Sequence, residues 1–566
     1  MDHSIKIGGE AGQGLQSLGL ILAKAFCRAG YHIFTVQDYE SRIRGGHSSF
    51  YLRFSDSPVE AAKTEITFLV CFDQPTLSRY QSDLLPSGYI IYNSDAVKEN
   101  IPARNALPVP LDTLAMQSGN DKIYANAVAL GAIIGLIGCD FNFLETTLAG
   151  FFGHKNKQTG VIEKNIISAK AGFEFIRKKL PQCPFPLNVT PRNKKMIITG
   201  NEAIALGGLA AGCKFYSGYP MTPSTGILNY MAQSAEKMGM VVEQAEDEIC
   251  AINMALGASY AGVRAMTATS GGGFALMVEG LSLAAMTETP IVIALAQRPA
   301  PATGLPTRTE QADLEYALYA GHGEFPRAIF TPGNARQCFY LTAHAFQIAE
   351  KFQIPVFILT DQYLADAYQD FEPFDLSRVD TTSYLMTDEE LAKISEYKRH
   401  ALTPSGISPR ARPGQSRHLV VTDSDEHTED GHLTEDLQVR TLMMDKRLSK
   451  YDALSKETIA PTLEATTESK TILVSWGSNY GVVKETAQAL GFGALHFQQV
   501  WPFPRDEFIR MTKNAQRIIV IENNATGQLA RIIKNETGVN NIRQVNQYNG
   551  LPFTVDVLNS IVQKIK

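Results

Sequence analysis

The chain has 566 residues, 44% of them apolar and 19% charged, with a formal net charge of −6. That length exceeds one ordinary hydrophobic core, so roughly two to four domains are expected, and the composition is that of a globular protein in water. The acidic balance gives no nucleic-acid surface, and seven scattered cysteines without a CxxC pair argue against a secreted disulfide scaffold, a zinc ribbon or a local iron–sulfur motif.

The cysteines are expected as free thiols in a reducing cytoplasm. Met1-Asp2-His3-Ser4 runs straight into the strand-like Ile5-Lys6-Ile7, so no signal peptide is visible. The strongest apolar run, 127–138, falls short of the roughly 20 residues needed to cross a bilayer and reads as a buried helix.

Residues 1–188 form the first region. Ile5-Lys6-Ile7 leads into Gly8-Gly9-Glu10-Ala11-Gly12-Gln13-Gly14 and then an apolar-periodic helix. Further buried strands at 67–72 and 88–92 predict a parallel α/β sheet. The glycine turn suits a phosphate but departs from GxGxxG, so a dinucleotide site is not supported. The stretch from Glu40 to His47 carries Arg42, Arg44 and His47. It is either a solvated turn or a contact for an acidic ligand. Pro181, Pro184 and Pro186 then mark a linker.

The second region, 195–372, alternates helices with strands at 264–269, 290–296, 328–330 and 355–360, again α/β. Tyr219-Pro220-Met221-Thr222-Pro223-Ser224-Thr225 is a proline-fixed turn whose hydroxyls suit a helix cap or a polar ligand. Glu248 opens a helix of small and apolar residues. Burial there raises a carboxyl pKa and favours sharing a proton, whereas the plainer alternative is an acidic first turn facing the helix dipole. Ser270-Gly271-Gly272-Gly273 joins a strand to a helix and permits close backbone approach. No Lys-Ser/Thr follows, so it is not a P-loop. Arg298 follows a buried strand, where ligands gather in parallel sheets, and its fork suits a carboxylate. A proline-rich loop with Thr307 and Arg308 comes next.

Residues 373–467 read as an extended, loop-rich connector with some helix near 440–450. His427 and His432 lie in an acidic segment, but the spacing is not HExxH and a polar loop is the better default. Residues 468–566 form a small α/β domain with strands at 471–476 and 517–521.

The stretch from Gly218 to Asp313 resembles the 2-oxoacid:ferredoxin oxidoreductases, and the likeness extends over nearly the whole chain. The resemblance implies a γ-like domain fused ahead of an α subunit: three α/β domains, the second like a thiamine-diphosphate pyrimidine-binding domain and the third like the transketolase C-terminal domain. It implies that Glu248 holds the aminopyrimidine of thiamine diphosphate, with Pro220, Ser270, Gly271 and Gly272 bordering the cofactor. Thr222, Arg298 and Thr307 would meet the oxoacid, and Arg42, Arg44 and His47 would reach coenzyme A or a substrate tail. No Gly-Asp-Gly occurs in the chain. The resemblance therefore assigns Mg²⁺, pyrophosphate binding and a [4Fe–4S] cluster to a β subunit, in a dimer of αβ heterodimers that reduces ferredoxin. Its expected reaction is reversible, CoA-dependent oxidative decarboxylation of 2-oxoglutarate, as in a reductive TCA cycle. Pyruvate or branched-chain oxoacids are the alternatives, and a non-catalytic nucleotide-binding scaffold is the rival from another class.

Overall fold

The computed structural model describes residues 1–41, 45–98, 101, 105–155, 159–185, 195–466 and 468–565. Among them the strands form three sheets, of eight, seven and five strands. By contact the chain divides into two compact units. The first holds Met1–Ile198, Ala367–Pro373 and Thr554–Ser560, and the second holds Thr199–Asp366, Phe374–Phe553 and the remaining C-terminal residues.

The first unit is built on the eight-stranded sheet. Four of its strands, Asp2–Glu10, Ile66–Cys71, Leu84–Asn93 and Ala106–Val109, run parallel. The other half is antiparallel: His47–Ser55 pairs with both Asp2–Glu10 and His32–Tyr39. The expected all-parallel sheet is thus a mixed one. The hairpin formed by 32–39 and 47–55 escapes a search for alternating hydrophobics because Arg53, 4% exposed, lies inside it, paired with Asp2. Met196–Ile198 and Gln369–Phe371 complete the edge, so the first fold takes a strand from each end of the stretch that composition sets apart as the second region. Lys195, His32 and the buried Asp370 pin that edge.

The apolar run is the helix Ala125–Ile137, buried on nearly every face. It packs on Thr159–Lys179 at glycine contacts: a β-carbon on Gly131 would lie 2.6 Å from the carbonyl carbon of Ala169, and one on Gly172 would lie 2.8 Å from that of Val128. Only glycine permits that approach. Among the described residues no helix is long and apolar enough to cross a membrane.

In the second unit, strands Val241–Gln244, Phe215–Gly218, Ala265–Thr269, Ile291–Gln297, Pro355–Asp361 and Ala328–Phe330 run parallel, and Gln499–Trp501 adds an antiparallel edge. The five-stranded sheet runs Thr462–Ala465, Gly493–Phe497, Thr471–Trp476, Arg517–Glu522, Ile542–Asn546. Phe274, Met277 and Phe357 of the first layer and Trp476, Phe497 and Ile533 of the second share one core.

The segment after Pro373 is loop-rich, as composition implies, but fastened by buried charge. Its helix spans Leu437–Ser455, capped by the Asp436 carboxylate on the N–H groups of Gln438 and Val439. Lys446 and Lys450, each about 1% exposed, pair with the equally buried Glu288. His400 Nδ1 donates to the same carboxylate at 2.9 Å, and Arg399 donates to the Glu288 carbonyl at 2.7 Å. Breaking such a cluster leaves uncompensated charge in the interior.

Candidate active site

The parallel strands Phe215–Gly218, Ala265–Thr269 and Ile291–Gln297 bring their C-terminal ends together, where ligands bind in sheets of this kind. Each delivers part of the site. The Ser217 hydroxyl, at the end of the first, donates to the Ala251 carbonyl at 2.5 Å and so locks the helix Glu248–Tyr260 against the strand. Asp247 caps that helix by accepting from Cys250 N at 2.7 Å. Capping thus falls to Asp247, and Glu248 turns inward.

Glu248 is 3% exposed, and its Oε1 has no hydrogen-bond partner. Burial pushes its carboxyl pKa up and the nearby Asp247 charge adds to that, while its own N–H and the Thr269 hydroxyl pull the other way. Its seat is Gly273: a β-carbon there would lie 2.8 Å from Glu248 Cδ. Gly273 belongs to the helix Gly271–Met286, whose N-cap Ser270 makes no capping bond and directs its hydroxyl to the Met221 sulfur. The Gly271-Gly272 turn therefore lies beside Glu248, with Gly272 exposed.

Arg298 Nη1 donates to the Thr222 carbonyl at 2.7 Å, which ties the end of the third strand to the proline turn. Its Nε has no partner. Burial lowers the guanidinium's pKa while the charge of Asp313 raises it. Pro220 is exposed and Thr222 half-buried. Thr307 is half-buried in the loop that follows Arg298. That loop closes at Gly304 (φ 54°), where a β-carbon would lie 2.6 Å from the carbonyl carbon of Pro299. Gln311 anchors its far end to the five-stranded sheet. It donates to the Trp476 carbonyl at 3.0 Å and accepts from Asn479 Nδ2 at 2.8 Å and Asn523 N at 3.1 Å.

Glu248, Thr222, Arg298, Ser270 and Gly271 are thus joined by one set of strand ends. Sequence reasoning assigned no role to Gly273, Gln311 or Asp313, which lie within or beside the motifs it singled out. The signal for Gly273 was there, as a third glycine in a turn that needs only two. His47 lies in the other unit. It is 8% exposed, neither ring nitrogen has a partner, and burial lowers its pKa, so it is a neutral ring beside Tyr80 rather than a surface cation. Arg42 and Arg44 lie outside the described residues. His427 packs against His400 with the rings tilted by 48° and their centroids 4.0 Å apart, and donates through Nδ1 to the Asp425 carbonyl at 3.0 Å.

A buried, unpartnered carboxyl oxygen at strand ends fits a ring nitrogen of a bound cofactor, and comparison with known proteins bears on which one. Residues 207–446 match the family model described as pyruvate flavodoxin/ferredoxin oxidoreductase, thiamine diphosphate-binding. Residues 4–175 match pyruvate ferredoxin/flavodoxin oxidoreductase, and 470–557 match pyruvate:ferredoxin oxidoreductase core domain II. The α subunit of a 2-oxoacid:ferredoxin oxidoreductase from Sulfolobus is 32% identical over 99% of this chain and 96% of its own. The 2-oxoglutarate synthase subunit KorA of Archaeoglobus fulgidus is 35% identical over 60% of this chain and 90% of its own. The solved 2-oxoglutarate:ferredoxin oxidoreductase from Magnetococcus marinus, with 2-oxoglutarate, coenzyme A and succinyl-CoA bound, superposes with a TM-score of 0.92 at 31% identity. The match covers 100% of this chain and 99% of that one. The chain belongs to the 2-oxoacid:ferredoxin oxidoreductases, thiamine-diphosphate-dependent enzymes, and matches their α subunits from end to end.

Proposed function

We propose that the chain is the γ-fused α subunit of a 2-oxoglutarate:ferredoxin oxidoreductase. With coenzyme A it converts 2-oxoglutarate to succinyl-CoA and CO₂, passes the electron pair singly to ferredoxin, and runs in either direction. The observation that carries this reading is the buried, unpartnered Oε1 of Glu248. Thiamine diphosphate, when bound, supplies the nucleophilic carbon and the electron sink for decarboxylation. Glu248 holds a proton toward the aminopyrimidine, a role its raised pKa favours. Arg298 grips the oxoacid carboxylate, with Thr222 and Thr307 beside it, while Pro220, Ser270, Gly271 and Gly272 shape the cofactor wall. Arg42 and Arg44 are assigned to coenzyme A or a substrate tail, and His47, named with them, would meet that ligand only as a buried, neutral ring.

The choice of 2-oxoglutarate is supported by the names of the Magnetococcus and Archaeoglobus relatives. Absence of Gly-Asp-Gly from the sequence supports a β subunit that carries Mg²⁺, the pyrophosphate site and a [4Fe–4S] cluster; the dimer of αβ heterodimers and the cytoplasmic location are carried over from the family resemblance and the scattered cysteines. Residues 1–188, 195–372 and 468–566 are taken as the γ-like, pyrimidine-binding and transketolase C-terminal-like domains, with 373–467 as connector.

Co-expression with the partner chain tests the reading. A brown complex that reduces a viologen with 2-oxoglutarate and coenzyme A is expected. Preference for pyruvate or a branched-chain oxoacid overturns the substrate, and no reduction with any of them overturns the function.

A further inference from the structure

Asp313 stands immediately before the helix Leu314–Tyr319, where an aspartate ordinarily caps. Its side chain makes no capping bond. The carboxyl group turns instead to the glycine turn, where a β-carbon on Gly271 would lie 2.8 Å from Asp313 Cγ. Asp313 is 8% exposed, and its Oδ2 has no hydrogen-bond partner. Its backbone N–H donates to Gln297 Oε1 at 2.9 Å, so the last residue of the strand that precedes Arg298 also fixes Asp313. Arg298 Nε is likewise unpartnered. Asp313 is thus tied to Gln297, the residue immediately before Arg298, and each charge shifts the other's titration. Two buried, unpartnered polar atoms of opposite charge at one set of strand ends call for a ligand group or an exchange of partners.

We propose that Asp313 is a positioning residue that acts through Arg298: it supplies the guanidinium's counter-charge when no substrate carboxylate is present, and weakens Arg298's hold on that carboxylate when one is. The proposal rests on reading Arg298 as the oxoacid contact. Decarboxylation removes the substrate's carboxylate as neutral CO₂, which leaves Arg298 without an anion in a partly desolvated wall. Asp313 fills that need from a fixed position. In the ground state it limits over-tight binding, which lowers KM without raising kcat. Burial, opposed by Arg298, pushes the Asp313 carboxyl up to about 6, so it can take a proton when a second carboxylate arrives. Glu310 and Tyr316 also feel its charge.

The test uses the purified complex with its partner chain and 2-oxoglutarate as probe. Asp313→Asn is expected to lower KM about tenfold, the scale of losing one partly buried charge near another, with no rise in kcat. In an Arg298→Ala background the same change should leave KM alone. Gly271→Ala, which displaces the carboxyl without removing its charge, is a second variant and should lower KM in the same direction. If Arg298→Ala raises KM but neither Asp313→Asn nor Gly271→Ala moves it, Asp313 is only structural and the proposal fails. If Arg298→Ala itself leaves KM unchanged, the carboxylate role of Arg298 falls, and this proposal with it.

Discussion

Gly273 leaves open the space that the Glu248 carboxyl occupies: a β-carbon at 273 would lie 2.8 Å from Glu248 Cδ and overlap its Oε1. It would meet the flexible end of Glu248, which can move, and also the hydroxyl of the buried strand residue Thr269, which has less room to give. Alanine also favours a helix over glycine by up to about 1 kcal/mol. That gain is offset by crowding at Thr269, so Gly273→Ala is expected to change the apparent Tm little while turnover falls ~100-fold, the scale of a misplaced acid–base group. Wild-type turnover in a viologen assay would show that the contact has no functional weight.

Glu248→Gln separates stability from function. A carboxyl whose pKa is raised by burial favours folding below its unfolded pKa of about 4.3, and that contribution is lost as pH rises through the folded value. The neutral amide does not suffer this loss. In the chain without cofactor, the variant should have a higher apparent Tm at neutral pH, with the gain vanishing toward pH 4. In the complex its turnover should fall at least ~100-fold. A lower Tm at neutral pH, or kcat near wild type with cofactor saturating, would contradict the assignment.

Gln311 satisfies the Trp476 carbonyl, the Asn479 amide and the Asn523 N–H with a single side chain. Gln311→Met leaves these buried groups unpaired, at a cost of about 3 kcal/mol in all. Because the loop that ends at Gln311 carries Thr307, KM for the oxoacid should rise along with the loss of stability. Urea titration and steady-state kinetics measure the two effects independently, and a stable variant with raised KM would mean that only the loop's placement had changed.

The site was legible where chemistry is written in short motifs. The proline turn at 219–225, the acid opening a small-residue helix and the arginine after a buried strand all meet at the strand ends, because each lies just after a strand of one parallel sheet. Relations across long sequence distances were not legible. Arg399, His400, Lys446 and Lys450 look like solvated charges, yet their shared partner Glu288 lies more than 100 residues upstream. The strands 196–198 and 369–371 are too short to announce a sheet, and pair only once the chain has returned. Asp313 looks like an ordinary helix cap, and only coordinates reveal that its carboxyl turns elsewhere.

The Glu288 cluster yields the last prediction. Burial pushes the Glu288 carboxyl up, but Lys450, Lys446 and His400 together outweigh it and hold the group well below the usual carboxylate range. A depressed carboxyl pKa contributes stability above the unfolded value of about 4.3 and loses it only as pH falls through the lower, folded value. The connector should therefore stay fastened through mildly acid conditions. Glu288→Gln removes the anion and leaves two buried ammonium groups unpaired, which costs about 3–5 kcal/mol. Limited proteolysis is expected to cut the variant between 373 and 461 at neutral pH while the wild type resists. Since the helix Leu437–Ser455 gives no side chain to the Glu248 wall, surviving variant should keep wild-type KM for the oxoacid. Protection equal to wild type would show that the lysines find other partners and that the cluster does not hold the segment in place.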